Sequence, residues 1–188
     1  MIQTLLLTAL LLQETPIEDF YKFKEGATWT YKRIENGAES KIAGKATGEK
    51  EGKVRHEWKE TAKDGASKGD SVLTWSVEDG ALTVESRSYH ENGNEQVLRF
   101  PVLKTGSKKG DTWPSPGGDF THLGTVEVTV PAGTWKNAVR TQLKGGDESN
   151  PIKIDVTLVP KVGLVKIEIH DPGGAVNLWE LTEFKPAK

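Results

Sequence analysis

Two strings in this chain have the form of catalytic motifs, and neither has the setting its chemistry needs. Gly65-Ala66-Ser67-Lys68-Gly69 matches the G-x-S-x-G of a serine hydrolase. That nucleophile must sit on a sharp turn between a strand and a helix; here a charged hairpin turn surrounds it and a strand follows. Lys104-Thr105-Gly106 matches the K-T-G of penicillin-binding enzymes, but no S-x-x-K precedes it. His56, His90, His122 and His170 stand alone, without the short spacings that bring two imidazoles onto one metal. They are expected as solvent-facing strand residues, although a barrel could bring distant ones together. No calcium loop, phosphate-cradling glycine motif or dinucleotide fingerprint is present. No catalytic residue, metal or cofactor is therefore expected.

The aromatic residues remain: six Trp, five Phe and three Tyr. Trp75 shares a strand face with Leu73 and Val77, Trp58 with Val54 and His56, while Trp179 alternates ambiguously with Leu178 and Leu181. Such residues either fill a core or line a concavity that holds an acyl chain or stacks on a sugar. If they bind a ligand, Trp29, Trp58, Trp75 and Trp113 are the candidates.

The elements that must position them are strands. Beyond Pro16 no helical period is sustained; short alternating runs are separated by turn signals. Asn36-Gly37, Asp64-Gly65, Asp79-Gly80, Asn92-Gly93, Gly145-Gly146-Asp147 and Asp171-Pro172-Gly173-Gly174 each divide two runs. Asn-Gly and Asp-Gly tolerate the positive φ of tight hairpins. The spacing predicts about ten or eleven strands in an antiparallel meander. Ile152, Ile154, Val156 and Leu158 share one face, as do Val165, Ile167 and Ile169, with polar residues between them. One apolar face per strand implies a sheet covered on one side. With no helix to cover it, that sheet must curl on itself. The expectation is all-β: a strongly curved antiparallel sheet, either half-barrel, open barrel or sandwich.

Val130-Pro131-Ala132-Gly133-Thr134-Trp135 reads as a corner in that sheet. Pro fits the second turn position and Gly the fourth, with Gly133 expected to form a bulge. Lys24-Glu25-Gly26-Ala27-Thr28-Trp29 and Lys108-Lys109-Gly110-Asp111-Thr112-Trp113 share the form K-x-G-x-T-W, a turn leading into a strand headed by Trp.

Composition bounds the rest. The chain has 188 residues, no cysteine and a formal net charge of -2. Balanced, interspersed charge offers no electrostatic stripe for nucleic acid. The alternating charges from Lys41 to Lys63 read as solvated strand faces. Without cysteine there is no disulfide framework and no lipid-modified N-terminal thiol. Leu5 to Leu12 is built only of Leu, Thr and Ala. That is short of the about 20 residues needed to span a bilayer, and it fits the apolar region of a secretory signal peptide. Residues 1–13 are read as that leader, cleaved near Gln13, with a buried first element as the alternative. Residues 14–188 are read as one domain, exported to the periplasm or medium, monomeric and without a stable membrane anchor.

Several segments together resemble a known group. These are Phe23-x-x-Gly26-x-x-Trp29-x-Tyr31, Phe100-Pro101-Val102-Leu103 ahead of Gly110-Asp111-Thr112-Trp113, Val128 to Trp135, Val162 to Lys166, and Glu180 to Phe184. The set is similar to a group of exported bacterial β-domain proteins of unassigned function, whose fold resembles the LolA-like lipoprotein-carrier half-barrel. One departure is Val159-Pro160-Lys161-Val162-Gly163, where the group carries an aromatic-Ala-Pro-Gly run. The resemblance implies a concave face and no catalytic residues. The expected function is non-catalytic binding of an amphipathic or lipid-like envelope molecule. The alternative is a protein–protein interaction or structural envelope domain with no small-molecule ligand.

Overall fold

The computed structural model describes residues 15–89 and 95–188. The leader read over residues 1–13, His90 and the Asn92-Gly93 turn lie outside them. After a short 3-10 helix, Ile17–Phe20, the regular elements of the described residues are all strands. β1 (Thr28–Glu35), β2 (Ala38–Lys50), β3 (Lys53–Ala62), β4 (Ser67–Glu78), β5 (Ala81–Tyr89) and β6 (Glu95–Lys104) form one run of hairpins. β7 (Thr112–Ser115), β8 (Gly118–Val130), β9 (Gly133–Asp147), β10 (Asn150–Val159), β11 (Gly163–His170) and β12 (Val176–Lys185) form the second.

All twelve belong to a single antiparallel sheet in the order β6-β5-β4-β3-β2-β1-β12-β11-β10-β9-β8-β7. The first and last strands pair with each other, so the interruption falls in mid-chain, between β6 and β7. The sheet curls until that seam nearly closes, giving a barrel. Two side chains bridge the gap to carbonyl oxygens of β6. Trp113 donates its indole N–H to Pro101 at 2.6 Å, and Thr141 donates its hydroxyl to Val102 at 2.8 Å.

Alternation builds the interior. Trp29 and Tyr31 point inward from β1 and reach over β12. Trp29 Nε1 donates to the Val162 carbonyl and the Tyr31 hydroxyl to the Leu164 carbonyl, each at 2.8 Å. A buried Trp or Tyr usually finds a partner for its polar tip, and both of these reach backbone at the start of β11, beyond β12. The 3-10 helix closes the same end. Phe20 and Tyr21 are buried, and Phe23 meets the Trp29 ring edge-on with centroids 4.9 Å apart. Gly163 admits this plug, since a Cβ there would lie 3.1 Å from the Phe23 ring. The Val159–Gly163 turn is thus the turn that receives the N-terminal segment.

The structure adjusts four sequence expectations. The described residues form twelve strands, because Glu51-Gly52 inside the charged segment is itself a hairpin turn, with φ of +54° and +75°. The β9–β10 turn lies at Glu148-Ser149, where Asp147 Oδ1 accepts the backbone N–H groups of Ser149 and Asn150. Gly145 is needed for close approach instead, as a Cβ there would overlap the Gly117 carbonyl. Gly133 pairs directly with Val130, so the hairpin has two turn residues, Pro131 and Ala132, and the bulge falls between Val126 and Val128. Finally, Val165 is an extra residue in β11, between Lys166 paired with Thr157 and Leu164 paired with Leu158. That bulge brings Leu164, rather than Val165, into line with Ile167 and Ile169.

Candidate functional site

The two ends of the barrel differ. Around Phe20, Phe23, Trp29 and His56 the interior is packed, leaving about 10 Å³ free. Toward the other end a cavity of about 260 Å³ remains. Two walls assemble it by register. On one wall the cross-strand row Trp75–Val84–Phe100 lies beside the row Leu73–Ser86–Leu98. On the other, the row Val156–Ile167–Trp179 lies beside the row Phe120–Leu143–Ile154–Ile169. Trp58 joins them from β3. Ser86 is the one polar residue among the lining side chains, and none of them titrates. A barrel of this strand number is too wide for its side chains to fill throughout. Phe20, Phe23, Trp29 and His56 fill one end, while the aromatic and aliphatic side chains of the other line a space they do not fill.

Polar groups begin one layer further out. Arg33 pairs in the ladder with Trp179, and its guanidinium lies 5.3 Å from the centre of that ring. Arg33 Nη1 donates to Glu60 at 2.7 Å and Nη2 to Glu35 at 2.7 Å, while Ser40 donates to Glu60 at 2.6 Å. Ser71, Ser88 and Gln96 form the next row on the opposite side of β3. The cup is therefore apolar inside with a hydrogen-bonding rim.

The structure brings two of the four sequence-predicted tryptophans to this cavity. Trp58 stacks on Tyr31 at 5.1 Å and lies 6.1 Å from Trp179, and Trp75 lines the adjoining wall. Trp29 is elsewhere, 2% exposed in the packed end and stacked on His56 at 4.6 Å. Trp113 is at the seam, parallel to Phe120 with an interplanar angle of 8°. Trp179, Phe100 and the isoleucines of β10 and β11 complete the site. The alternation of the isoleucines was visible in the sequence, that of Trp179 was ambiguous, and the approach of Trp179 to Trp58 follows only from the curl of the sheet.

The histidines correct another expectation. His56 and His122 are buried, not solvent-facing. His56 lies among the Phe23, Trp29 and Trp75 rings, and burial pushes its pKa down to about 4. His122 Nδ1 is 3.0 Å from the Ser107 hydroxyl. His170 lies on the outer face, 3.3 Å from Asp155. Asp155 is 1% exposed and accepts hydrogen bonds from Arg140 at 2.7 Å and Gln142 at 2.6 Å. Burial alone would push its carboxyl up; the Gln142 and Arg140 hydrogen bonds outweigh that and hold it below the usual carboxylate range. Among the described residues no three His, Asp or Glu side chains gather as a metal site.

No family model matches the chain, and no curated protein matches it either. Solved structures do. One is a candidate exported protein with a YmcC-like fold from Bacteroides fragilis, at TM-score 0.55 and 12% identity. Another is a candidate lipoprotein from Parabacteroides distasonis, at TM-score 0.56 and 15% identity. Each alignment covers 88% of this chain and 98% of the other. At these identities the likeness establishes a shared barrel fold over nearly the whole of both neighbours.

Proposed function

We propose that this chain is an exported, non-catalytic binding protein that takes one acyl-like tail into the open end of its barrel. The carrying observation is the unfilled cup of about 260 Å³, continuously apolar, opposite an end packed almost solid. This lies just below the about 300–1,000 Å³ of typical ligand pockets, a size suited to a single slender chain. Burying such a tail stabilises the complex by roughly 25 cal/mol per Å² of apolar surface. The Arg33–Glu60–Ser40 rim leaves a polar head group in contact with hydrogen-bonding side chains. Export is supported by the apolar run Leu5–Leu12 and by the exported and lipoprotein descriptions of the two structural neighbours. The likeness to lipoprotein carriers drawn from the sequence belongs to the same proposal.

Calorimetric titration with dodecanoate, below its critical micelle concentration, tests the reading. Saturation at one molecule per chain with a negative heat-capacity change is expected, because apolar surface leaves water on binding. Absence of saturable heat with dodecanoate, and equally with a neutral monoglyceride of the same chain length, would remove the tail-binding reading.

A further inference from the structure

β6 carries a second feature, independent of the cup. Its one ladder is with β5; among the described residues no strand pairs with its other edge. Trp113 and Thr141 occupy the carbonyls of Pro101 and Val102. Among the described residues the run from Glu95 to Arg99 has no such side-chain hydrogen bond across the seam, although Arg99 shares a surface pocket with Trp113, Pro114 and Pro116. Within that run Val97, on the outer face, is 47% exposed, and Leu98, turned toward the cup, is 43% exposed. An uncovered edge of this kind is a template for pairing with another chain.

The residues along the edge specify which chain. Glu95 and Arg99 carry opposite charges and are placed symmetrically about Val97. We propose that the edge pairs with the same edge of a second copy, antiparallel and centred on Val97, to form a two-fold dimer. In that register Val97 faces Val97 of the partner subunit, and Glu95 faces Arg99 of the partner subunit. On β5, Glu85 already sits opposite Arg99. Each Arg99 then lies between two acids, Glu85 of its own chain and Glu95 of the partner subunit. Within the chain Arg99 also meets Glu78, and Glu95 meets Arg87; these contacts keep both side chains on the outer face. A slip of two residues sets Val97 against a charge. A parallel in-register pair sets like charges opposite one another, which is destabilising. Of these registers only the antiparallel one centred on Val97 pairs the opposite charges and sets Val97 against Val97, with Leu98 opposite Gln96 of the partner subunit, and its symmetry closes at two copies. Leu98 lines the cup, so the two cups come to open beside the shared strands. This departs from the monomer expected from the sequence.

The chain has no cysteine, which makes the register directly testable. Opposed residues of an antiparallel pair have Cα atoms about 4.5–5.5 Å apart, within reach of a disulfide. Three single-cysteine variants are needed, Val97→Cys, Glu95→Cys and Arg99→Cys, with exposed Lys136→Cys as control. The expected result is a concentration-dependent dimer of the wild type by sedimentation equilibrium. Under mild oxidation Val97→Cys should couple to itself about tenfold or more faster than the control, since pairing raises the effective thiol concentration. A mixture of Glu95→Cys and Arg99→Cys should couple faster than either alone. A wild type that stays monomeric up to about 1 mM overturns the proposal, as does a dimer whose crosslinks fail to follow this register.

Discussion

The Trp113 indole N–H and the Pro101 carbonyl oxygen, 2.6 Å apart, meet where the ladder of the barrel is interrupted. Their hydrogen bond does across the seam what backbone pairing does between neighbouring strands elsewhere. Phe120, which lines the cup, lies parallel to the Trp113 ring. The closure of the barrel and the shape of its cavity are thus linked through one pair of parallel rings.

Trp113→Phe keeps an aromatic ring over Phe120 but leaves the Pro101 carbonyl without its donor. Losing a buried hydrogen-bond partner costs about 1–3 kcal/mol. The urea midpoint should fall accordingly, with amide exchange rising first in β6. An unchanged midpoint would mean that the seam is held by other contacts.

His56 makes stability depend on pH in a defined window. Its pKa is about 4 in the folded chain, against 6.5 for an ordinary imidazole, because burial disfavours the charged form. Between those values the unfolded chain binds a proton that the folded chain does not, so stability falls as pH drops from 6.5 toward 4. The loss is on the order of 3 kcal/mol and levels off below the folded pKa. His56→Phe preserves stacking on Trp29 and should flatten this component of denaturation curves taken across that range. A variant with the wild-type pH profile would assign the effect to other groups.

Gly44 allows Trp58 its place. A Cβ at Gly44 would lie 3.1 Å from Trp58 Nε1 and 3.2 Å from Cε2, and the ring is already stacked on Tyr31. Gly44→Ala must therefore shift an indole that lines the cup. Overpacking of this sort costs about 1–3 kcal/mol, and dodecanoate affinity should fall with it. Normal affinity in a destabilised variant would show that the position of Trp58 does not matter for binding.

Much of the fold was legible because hairpin chemistry and alternation are local. Asn36-Gly37 adopts φ of +50° and +79°, as a tight hairpin requires, and Ile152, Ile154 and Val156 alternate against Lys153 and Asp155 as their register demands. The bulges were not legible. One extra residue at Val165 reverses the face of everything before it, and nothing in the side-chain types marks the place. The site was legible by half. Trp58 and Trp75 lie on strands whose faces could be read, but Trp29 owes its position to the Val162 carbonyl, 133 residues away, and Trp113 to the Pro101 carbonyl across the seam, a strand it does not pair with. Hydrogen bonds of that kind depend on how far the sheet curls, a property of all twelve strands together. For the same reason the burial of His56 escaped notice, since its strand neighbours Arg55 and Glu57 are charged.

The central claim is that the cup accepts an acyl chain, and native mass spectrometry with dodecanoate on the wild type and on Ile167→Trp tests it most directly. Ile167 lines the cavity without being fully buried, so a larger ring there occupies the space a tail would take. The account predicts a one-to-one dodecanoate adduct on the wild type, weakened at least about tenfold in the variant, a loss of roughly 1.4 kcal/mol. Equal adduct populations on both proteins would contradict it and place any bound dodecanoate outside the barrel.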